Sequence, residues 1–488
     1  MNNIKKYIAI FFTYFLLLIG CSDIHTENII YFGIAQNPQN LDPRFQSDAA
    51  SERISELLYS PLFYFNKYYK IKSNIVDWKK FTPLKYKFKI KKQLPVFHHN
   101  KNMGIEDIIA TLNNLRAQQK SPFYIELKNI KNIIKLSNVD FEINLYKNDI
   151  NFLSRLVFFI LPQDLLSQNH NFSTNPVGSG PFSFLEKYPN LKIQRRLDSQ
   201  IIELVNIKDP TVRVLKLLNG EIDLLQNDLP LEMIKLLEAK DRIITLKEYG
   251  SNVSYIGFNF NDSLLRQHKF RKSLTLAVDR QSLIKHFLNE KTRVAEQILP
   301  PEHWANEKIN TLNYNPSLAR QYIKELGING PIELTLKTST DPFRVKIATL
   351  IQKQFESIGV KLIIKSLDWG TYFKDIQAGE FQLYGLTWVG IRNPEIYEKI
   401  FNSKFIPPKG LNRAGYINQE MDEFINNAKK FNQWDKVIKK VNTDNVFMPL
   451  WFEGNFAAFN KNISGYYIHN DGSWDALKTV RKNYVDFN

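Results

Sequence analysis

The second half of the chain alternates strand-like and helix-like segments, and this alternation limits the folds that the sequence can adopt. Apolar stretches at 332–337, 361–366 and 382–388 are typical of strands. The segments between them, 344–357 and 372–378, have the apolar spacing of amphipathic helices. Because parallel strands need a crossover connection, this order predicts a sheet covered by helices. The predicted fold class is therefore α/β.

Shorter elements of the same kind run through the rest of the chain. Residues 86–97 alternate between apolar side chains and lysines, which predicts a half-exposed strand. The periodicity at 270–287 predicts one long helix. Further strands are predicted at 29–35, 141–145, 220–224 and 255–260, and further helices at 49–58, 105–118 and 210–219.

Composition excludes several classes of protein. With 43 % apolar and 13 % aromatic residues, the 488-residue chain can bury two or three domain cores, which excludes a disordered protein. The net charge of +16 is spread along the whole length, which favours a solvated basic surface over a nucleic-acid groove. The only cysteine, Cys21, excludes an internal disulfide and a cysteine-rich metal site.

The N-terminus has the organisation of an export signal. A short basic segment precedes an uncharged, mostly apolar run at 7–20, which is too short to cross the ~30 Å hydrocarbon core as a helix. Cys21 follows Leu18-Ile19-Gly20 directly, and this sequence resembles the lipobox of bacterial lipoproteins, in which the thiol is acylated. We expect a signal peptide at 1–20 and a lipidated Cys21 on an exported, membrane-anchored protein of the cell envelope, on the periplasmic or extracytoplasmic face. An ordinary signal that ends near a cysteine is the alternative.

No catalytic or metal-binding motif is present in the sequence. His98 and His99 are the only adjacent histidines, and neighbouring residues of a strand point to opposite faces. The Gly178-Ser179-Gly180 turn is too short for a dinucleotide fingerprint and lacks a P-loop lysine. We therefore predict a protein that is not an enzyme and that needs neither metal nor cofactor.

An ordered series of short motifs resembles the dipeptide/oligopeptide family, family 5, of ABC-transporter extracellular solute-binding proteins. Each motif is weak by itself, but together they follow the order of the family from about residue 30 to residue 470. In chain order they are Leu41-Asp42-Pro43, 57–62, 86–91, Phe97-His98, Glu106-Asp107, Gly178-Ser179-Gly180-Pro181-Phe182, Gly220-Glu221-Ile222-Asp223, Phe258-Asn259, Phe270-Arg271, Ala277-Val278-Asp279-Arg280, Tyr314-Asn315-Pro316, Ala319-Arg320, Tyr416, Met421-Asp422 and Pro449-Leu450-Trp451.

The resemblance implies a periplasmic-binding-protein-like fold of two lobes with an additional supporting domain. The chain would cross between the lobes near Gly257 and Trp451. The implied function is capture of a peptide or similar small solute between the lobes, followed by delivery to an ABC permease in the cytoplasmic membrane. The implied boundaries are 27–60, 175–257 and 452–488 for lobe I, 61–174 for the supporting domain, and 258–451 for lobe II.

The resemblance also implies where the solute binds. Segment 382–394 contains small and turn-forming residues beside Trp388, and in the family the matching strand pairs with an extended peptide. Core packing of Trp388 and a surface salt bridge of Arg392 are the alternatives. The predicted ligand-binding residues are Phe45, Gln46, Ser47, Asp48, Ala49, Thr387, Trp388, Val389, Arg392, Asn393, Trp451 and Glu453.

One position departs from the family pattern. Peptide binders of the family commonly carry an aspartate three residues after this tryptophan, whereas this chain has Ile391 followed by Arg392. A buried ammonium group without a counter-charge is strongly unfavourable. Asp48 or Glu395 could replace the missing acid, or the solute lacks a free amino terminus and Arg392 binds a carboxylate or phosphate.

The identity of the solute stays open at this point. Relatives of this family carry nickel complexes, haem or sugars as well as peptides. The same fold could also serve an envelope sensor, adhesin or chaperone. We expect a monomeric protein that is attached to the membrane by lipid and has no nucleic-acid partner.

Overall fold

The structure is a computed structural model in which part of the chain is described. The predicted signal peptide at 1–20, the predicted lipidation of Cys21 and the predicted site residue Ser47 lie outside the described residues. No helix in the described part is both long and apolar enough to cross a membrane. The described residues are 29–46, 48–309, 312–328 and 330–483.

Helices cover both large sheets, as the α/β prediction requires. The α-helices are Ala49–Leu58, Ile105–Ala117, Phe123–Glu126, Gln163–Ser167, Pro210–Asn219, Leu231–Glu238, His268–Leu276, Arg280–Phe287, Pro316–Glu325, Pro342–Glu356, Trp369–Ala378, Ile396–Phe401, Gln419–Phe431 and Asp435–Thr443. Short 3₁₀ helices lie at Phe152–Leu156, Ser403–Phe405 and Asp475–Lys478.

A seven-stranded mixed sheet forms the centre of lobe I. Strand Ile29–Ile34 lies in its middle, parallel to neighbours on both sides, and its alternate residues Ile30 and Phe32 are fully buried. The strands in spatial order are Ile243–Glu248, Asn455–Asn460, Leu224–Gln226, Ile29–Ile34, Ile201–Asn206, Leu191–Arg195 and Phe182–Glu186.

A six-stranded sheet forms the centre of lobe II. Strand Ile332–Ser339 runs parallel to Val360–Leu367 on one side and to Leu383–Trp388 on the other, which confirms the alternation of strands and helices predicted for this region. The strands in spatial order are Arg293–Val294, Phe447–Phe452, Val253–Phe258, Leu383–Trp388, Ile332–Ser339 and Val360–Leu367.

The supporting domain is built on a four-stranded antiparallel sheet. One face is buried, with Phe88 and Phe141 stacked at a ring-centroid distance of 4.9 Å beneath helix Ile105–Ala117. Lys89 on the other face is exposed, so the predicted alternation is confirmed. Its strands in spatial order are Val76–Thr82, Lys85–Ile90, Asp140–Leu145 and Ile130–Lys135. The supporting domain also contains a short pair of strands, Tyr64–Phe65 with Ile71–Lys72. A second short pair, Ile463–Ser464 with Arg481–Lys482, lies in lobe I.

Two neighbouring antiparallel strands connect the large sheets. Ile243–Glu248 pairs with Asn455–Asn460 in lobe I, and the next strand on each side of the connection, Val253–Phe258 and Phe447–Phe452, pair with each other in lobe II. A two-stranded ribbon therefore runs from one sheet into the other.

The chain crosses between the sheets at 249–252 and at 453–454. Gly257 and Trp451, which were expected beside the crossings, lie inside strands of the six-stranded sheet. The reason is that both strands continue as fully buried segments past these two residues, and the change of sheet falls instead at the polar stretches Gly250-Ser251-Asn252 and Glu453-Gly454. From strand membership we propose lobe I as 29–60, 175–252 and 453–483, the supporting domain as 61–174, and lobe II as 253–452.

The predicted helix at 270–287 is two helices, His268–Leu276 and Arg280–Phe287. The side chain of Asp279 accepts a hydrogen bond of 2.9 Å from the Ser282 N–H and so caps the second helix. Val278, between the helices, is buried like its helical neighbours. Apolar periodicity therefore continues across a break in the helical backbone, and the prediction of one helix was wrong.

The glycine-rich turn at 178–182 packs against the end of helix Ala49–Leu58. The Gly180 N–H donates to the Leu58 carbonyl at 2.9 Å. A Cβ on residue 180 would lie 2.3 Å from the Leu57 carbonyl oxygen, so only glycine allows this backbone approach.

We expect Gly180→Ala to destabilise the fold by about 1–3 kcal/mol, because an added methyl group must push two backbones apart. Urea unfolding followed by far-ultraviolet circular dichroism measures the change. Gly370→Ala is the matched control, because its Cβ would meet only the Asp368 side chain, at 3.3 Å. Equal unfolding midpoints for Gly180→Ala and the unaltered chain would contradict the prediction.

Candidate functional site

The carboxyl ends of the parallel strands face the opposite lobe. Trp388, the last residue of strand Leu383–Trp388, is paired with Val253, at which the chain enters the lobe II sheet. Strand Ile332–Ser339 is parallel to Leu383–Trp388 and ends at the same edge. Open α/β sheets bind ligands at this edge. The structure therefore places the candidate site between the lobes, beside the two crossings.

One edge of strand Leu383–Trp388 is unpaired near the cleft. Strand Val253–Phe258 pairs with all of it, whereas Ile332–Ser339 pairs only with Leu383 and Tyr384. From residue 385 to residue 388 the second edge therefore has no strand partner in the described part of the chain. The Gly385 carbonyl already accepts a hydrogen bond from the Tyr372 hydroxyl. Backbone donors and acceptors without a strand partner, as at 386–388, can bind an extended chain as an added strand.

Two predicted site residues, Thr387 and Glu453, are in direct contact. The Thr387 hydroxyl donates to Glu453 Oε1 at 3.0 Å, and Ser254 Oγ donates to the same oxygen at 2.6 Å. Arg344 completes the group, with Nη2 3.0 Å from Glu453 Oε1. Sequence reasoning missed Ser254 and Arg344, because no local pattern links them to residues so distant in the chain.

Trp388 has both an aromatic and a cationic neighbour. Its ring is nearly parallel to that of Tyr255, with centroids 5.7 Å apart, and the guanidinium carbon of Arg413 lies 4.9 Å from it. The side chain is half-buried, and the neighbouring Val389 is exposed. Trp388 therefore packs partly against the lobe II core, and the rest of its side chain is accessible at the edge of the cleft.

Lobe I contributes charged side chains to the opposite wall. Asp228 lies just after the carboxyl end of strand Leu224–Gln226. The side chain of Asp228 is exposed, and its positively charged neighbours are Arg53 and Arg213 of lobe I and Arg344 of lobe II. The cleft therefore presents charges of both signs.

Arg392 links the two lobes. Its Nη2 lies 3.1 Å from Glu56, 3.6 Å from Asp471 and 3.7 Å from Glu52, all of which belong to lobe I. Burial raises the pKa of Glu56 to about 7, although the charge of Arg392 opposes the rise. Arg392 is thus bound by carboxylates of the protein itself.

The acids considered as substitutes for the missing aspartate have other partners. Asp48 is the N-cap of helix Ala49–Leu58 and accepts the Ser51 N–H at 2.9 Å. Glu395 is paired with Arg155 of the supporting domain at 2.9 Å. Ile391 is buried in the lobe II core. Both carboxylates are therefore already bound by groups of the protein, and neither replaces the missing aspartate as a free counter-charge for a solute.

The remaining predicted residues that the structure describes form no side-chain hydrogen bond with the group formed by Thr387, Glu453, Ser254 and Arg344. The guanidinium carbon of Arg44 lies 5.3 Å from the ring of Phe45, and Gln46 Oε1 is buried without a hydrogen-bond partner among the described residues. Ala49 begins its helix. Trp451 is 1 % exposed and packs in the lobe II core, so we leave it out of the proposed site.

A cavity of about 510 Å³ lies between the supporting domain and lobe II, next to Arg392. Asn393 lines it and donates to Ser154 of the supporting domain at 2.8 Å. No sequence pattern pointed to this cavity, because its walls come from distant segments. Its apolar lining consists of Phe65, Ile71, Ile150, Leu153, Trp304 and Pro394.

Within the described residues, no three histidine, cysteine, aspartate or glutamate side chains are grouped as a metal site. His98 Nε2 is 3.3 Å from the Gly180 carbonyl, whereas His99 Nε2 is 3.1 Å from Asp164. The adjacent histidines therefore have separate partners.

Comparison with known proteins gives consistent results. The family described as bacterial extracellular solute-binding proteins, family 5, matches residues 77–399. The oligopeptide-binding protein AppA of Bacillus subtilis (strain 168) is 25 % identical over 484 residues, which cover 90 % of this chain and 88 % of that protein. The dipeptide-binding protein of Escherichia coli (strain K12) is 24 % identical over 293 residues, which cover 56 % of this chain and 54 % of that protein.

Solved structures show the same fold. AppA from Bacillus subtilis in complex with a nonapeptide superposes with a TM-score of 0.78 at 23 % identity, covering 93 % of this chain and 99 % of that one. The ABC transporter substrate binding protein CtaP from Listeria monocytogenes superposes with a TM-score of 0.83 at 20 % identity and the same coverage. The implied two-lobed binding-protein fold is therefore confirmed. This chain belongs to family 5 of the bacterial extracellular solute-binding proteins, and it is a substrate-binding component of ABC transport rather than an enzyme.

Proposed function

We propose that this protein captures a peptide in the cleft between its lobes and delivers it unchanged to an ABC permease. The unpaired edge of strand Leu383–Trp388 is the observation that carries the proposal. Hydrogen bonds to a solute backbone provide affinity that does not depend on side-chain identity. The peptide would bind as an added strand and the lobes would close over it.

The charges around the unpaired edge suit a zwitterionic solute. Arg344, paired with Glu453 at 3.0 Å, lies on the lobe II side, and Asp228 lies on the lobe I side, so charged groups of both signs are available at the edge to a solute that has ammonium and carboxylate groups. The relative AppA, whose structure contains a nonapeptide, gives a precedent for a peptide solute in this fold. The proposed site consists of Thr387, Trp388, Val389, Arg392, Asn393 and Glu453, extended by Ser254, Arg344 and Asp228.

We propose that the cavity beside Arg392 receives an apolar side chain of the solute. Three of its polar lining groups already have protein partners: Asn151 donates to Glu395 at 3.2 Å, Asn393 donates to Ser154, and Arg392 is held by carboxylates. Tyr69, Lys70 and Asn432 also line the cavity. The six apolar lining side chains give a solute side chain an apolar contact surface, and 510 Å³ is within the range of ligand pockets.

The location that we propose is the cell envelope. Export by the segment at 1–20 and acylation of Cys21 would keep the monomeric protein at the membrane that holds its permease.

Peptide capture can be tested with a mixed peptide digest. The protein is incubated with the digest, separated by gel filtration and analysed by mass spectrometry for retained peptides. A retained peptide is then resynthesised with N-methyl groups on alternate amides, in both registers. Because alternate amides of a strand face opposite sides, we expect one register to lose at least tenfold in affinity by calorimetry and the other to lose less. Retention of only a non-peptide solute would refute the proposal.

The cavity predicts a side-chain preference. We expect retained peptides to be enriched in an apolar residue at one position, and Trp304→Ala to remove that enrichment without abolishing peptide binding. Tyr188→Ala, at an exposed position of lobe I, is the control. An enrichment that persists in Trp304→Ala would show that the cavity does not select the solute.

Stability should depend on pH through Glu56. Its pKa of about 7 in the folded protein exceeds the ordinary value of 4.5, because burial disfavours the carboxylate. Folding therefore takes up a proton between these values, and the stability that comes from Glu56 is present below about pH 4.5 and is lost as the pH rises through about 7. Urea unfolding at pH 5 and pH 8 measures the change. Glu56→Gln should reduce the loss of stability between the two pH values and Glu325→Gln should retain it; the same loss in Glu56→Gln and the unaltered chain would contradict the prediction.

A further inference from the structure

The end of the supporting-domain sheet exposes several large apolar side chains. Phe81, near the end of strand Val76–Thr82, and Leu84, in the turn that follows, are 55 % and 42 % exposed. Tyr146 is 66 % exposed and lies beside them, because the N–H of Leu145 donates to the Leu84 carbonyl at 2.8 Å. We call Phe81, Leu84 and Tyr146 the apolar tip.

Lysines surround the apolar tip. Lys79 Nζ lies 5.3 Å from the ring of Phe81, and Lys80 Nζ donates to Asn148 Oδ1 at 3.1 Å. Lys147 is exposed. Within the described part of the chain, these three lysines form no ion pair with a carboxylate. Their positive charge is therefore not neutralised by the protein.

The wider segment has the same imbalance of charge. Residues 76–92 contain seven lysines and a single acid, Asp77, which is 3.8 Å from Lys91. Glu142 on the neighbouring strand is already paired with Lys85 at 3.1 Å. The region around the apolar tip thus carries an excess of positive charge.

We propose that the apolar tip and its lysines dock on a bilayer surface that contains anionic phospholipid. Aromatic and aliphatic side chains at the apex of a turn can enter the interfacial region, while lysines around them bind anionic headgroups. The tip consists of three side chains, whereas each side of a stable protein interface contributes about 20–30 residues. The proposal does not depend on which solute the cleft binds.

The chain between the proposed anchor and the fold favours a lipid surface as the partner. Cys21 and Ile29 are eight residues apart, so an acylated Cys21 would keep the start of lobe I within about 29 Å of the bilayer. A bilayer is then always close to the protein. Docking of the apolar tip would hold the supporting domain against that membrane.

Vesicle co-sedimentation of the chain from residue 21 onward, with Cys21→Ser and without the predicted signal peptide at 1–20, tests the proposal without the acyl anchor or the apolar segment. Vesicles of phosphatidylcholine mixed with phosphatidylglycerol are compared with vesicles of phosphatidylcholine alone. Each lysine near an anionic surface raises the partition coefficient of a protein about fivefold. The combined variant Lys79→Glu, Lys80→Glu and Lys147→Glu should therefore have a partition coefficient on the anionic vesicles that is lower by more than tenfold. The combination Lys285→Glu, Lys308→Glu and Lys324→Glu alters three exposed lysines of lobe II and changes the net charge equally. We expect this control to lose much less.

A second variant separates insertion from charge. Phe81→Ser with Leu84→Ser should weaken the binding that remains at raised salt, because screening leaves the apolar contribution. Thermal melting by circular dichroism verifies that each variant is folded. Changing Lys79, Lys80 and Lys147 to Gln should give a loss of vesicle binding that is smaller than the loss caused by the changes to Glu. Equal losses for the tip and control combinations, or equal binding to both kinds of vesicle, would overturn the proposal. Binding to polyglutamate without binding to anionic vesicles would also overturn it, in favour of an acidic protein partner.

Discussion

The antiparallel ribbon that joins the two large sheets determines where everything else in the molecule lies. Glu248 and Asn455 form its last pair in lobe I, and Val253 and Phe452 form its first pair in lobe II. Because the ribbon enters each sheet at the carboxyl end of that sheet's parallel strands, the two carboxyl edges face each other. The cleft is therefore a consequence of strand pairing, and rotation at the few residues between the pairs can open or close it.

The crossing also supplies part of the site. The Glu453 N–H donates to the Asn252 carbonyl at 2.8 Å, while the Glu453 carboxylate receives Ser254, Thr387 and Arg344. A Cβ on Gly250 would lie 1.7 Å from the Glu453 carbonyl oxygen, so the two crossing segments touch where only glycine fits. Glu453 thus belongs both to the connection between the lobes and to the proposed solute-binding site. A movement of the lobes changes the geometry of both.

The structure shows what Ile391 and Arg392 do in place of the aspartate that is common in the family. The Ile391 side chain turns into the lobe II core, and the next residue, Arg392, extends across to the carboxylates of Glu52, Glu56 and Asp471. A cation of the protein itself therefore lies beside acids of the opposite lobe. Part of the interaction between the lobes comes from the chain and does not require a solute. A partly buried arginine needs such partners, because an unpaired charge in this position would be costly.

The sequence by itself determined the fold class and most of its elements, since strand and helix periodicity and helix caps are properties of neighbouring residues. The helix Ala49–Leu58 and the strand Leu383–Trp388 are examples. Through resemblance to a family it also predicted Thr387 and Glu453 as site residues, without indicating that they touch. Only the tertiary structure decided that Arg344 joins them and that Trp451 is buried. These outcomes depend on contacts between distant segments, and no local pattern records which segments a sheet will bring together.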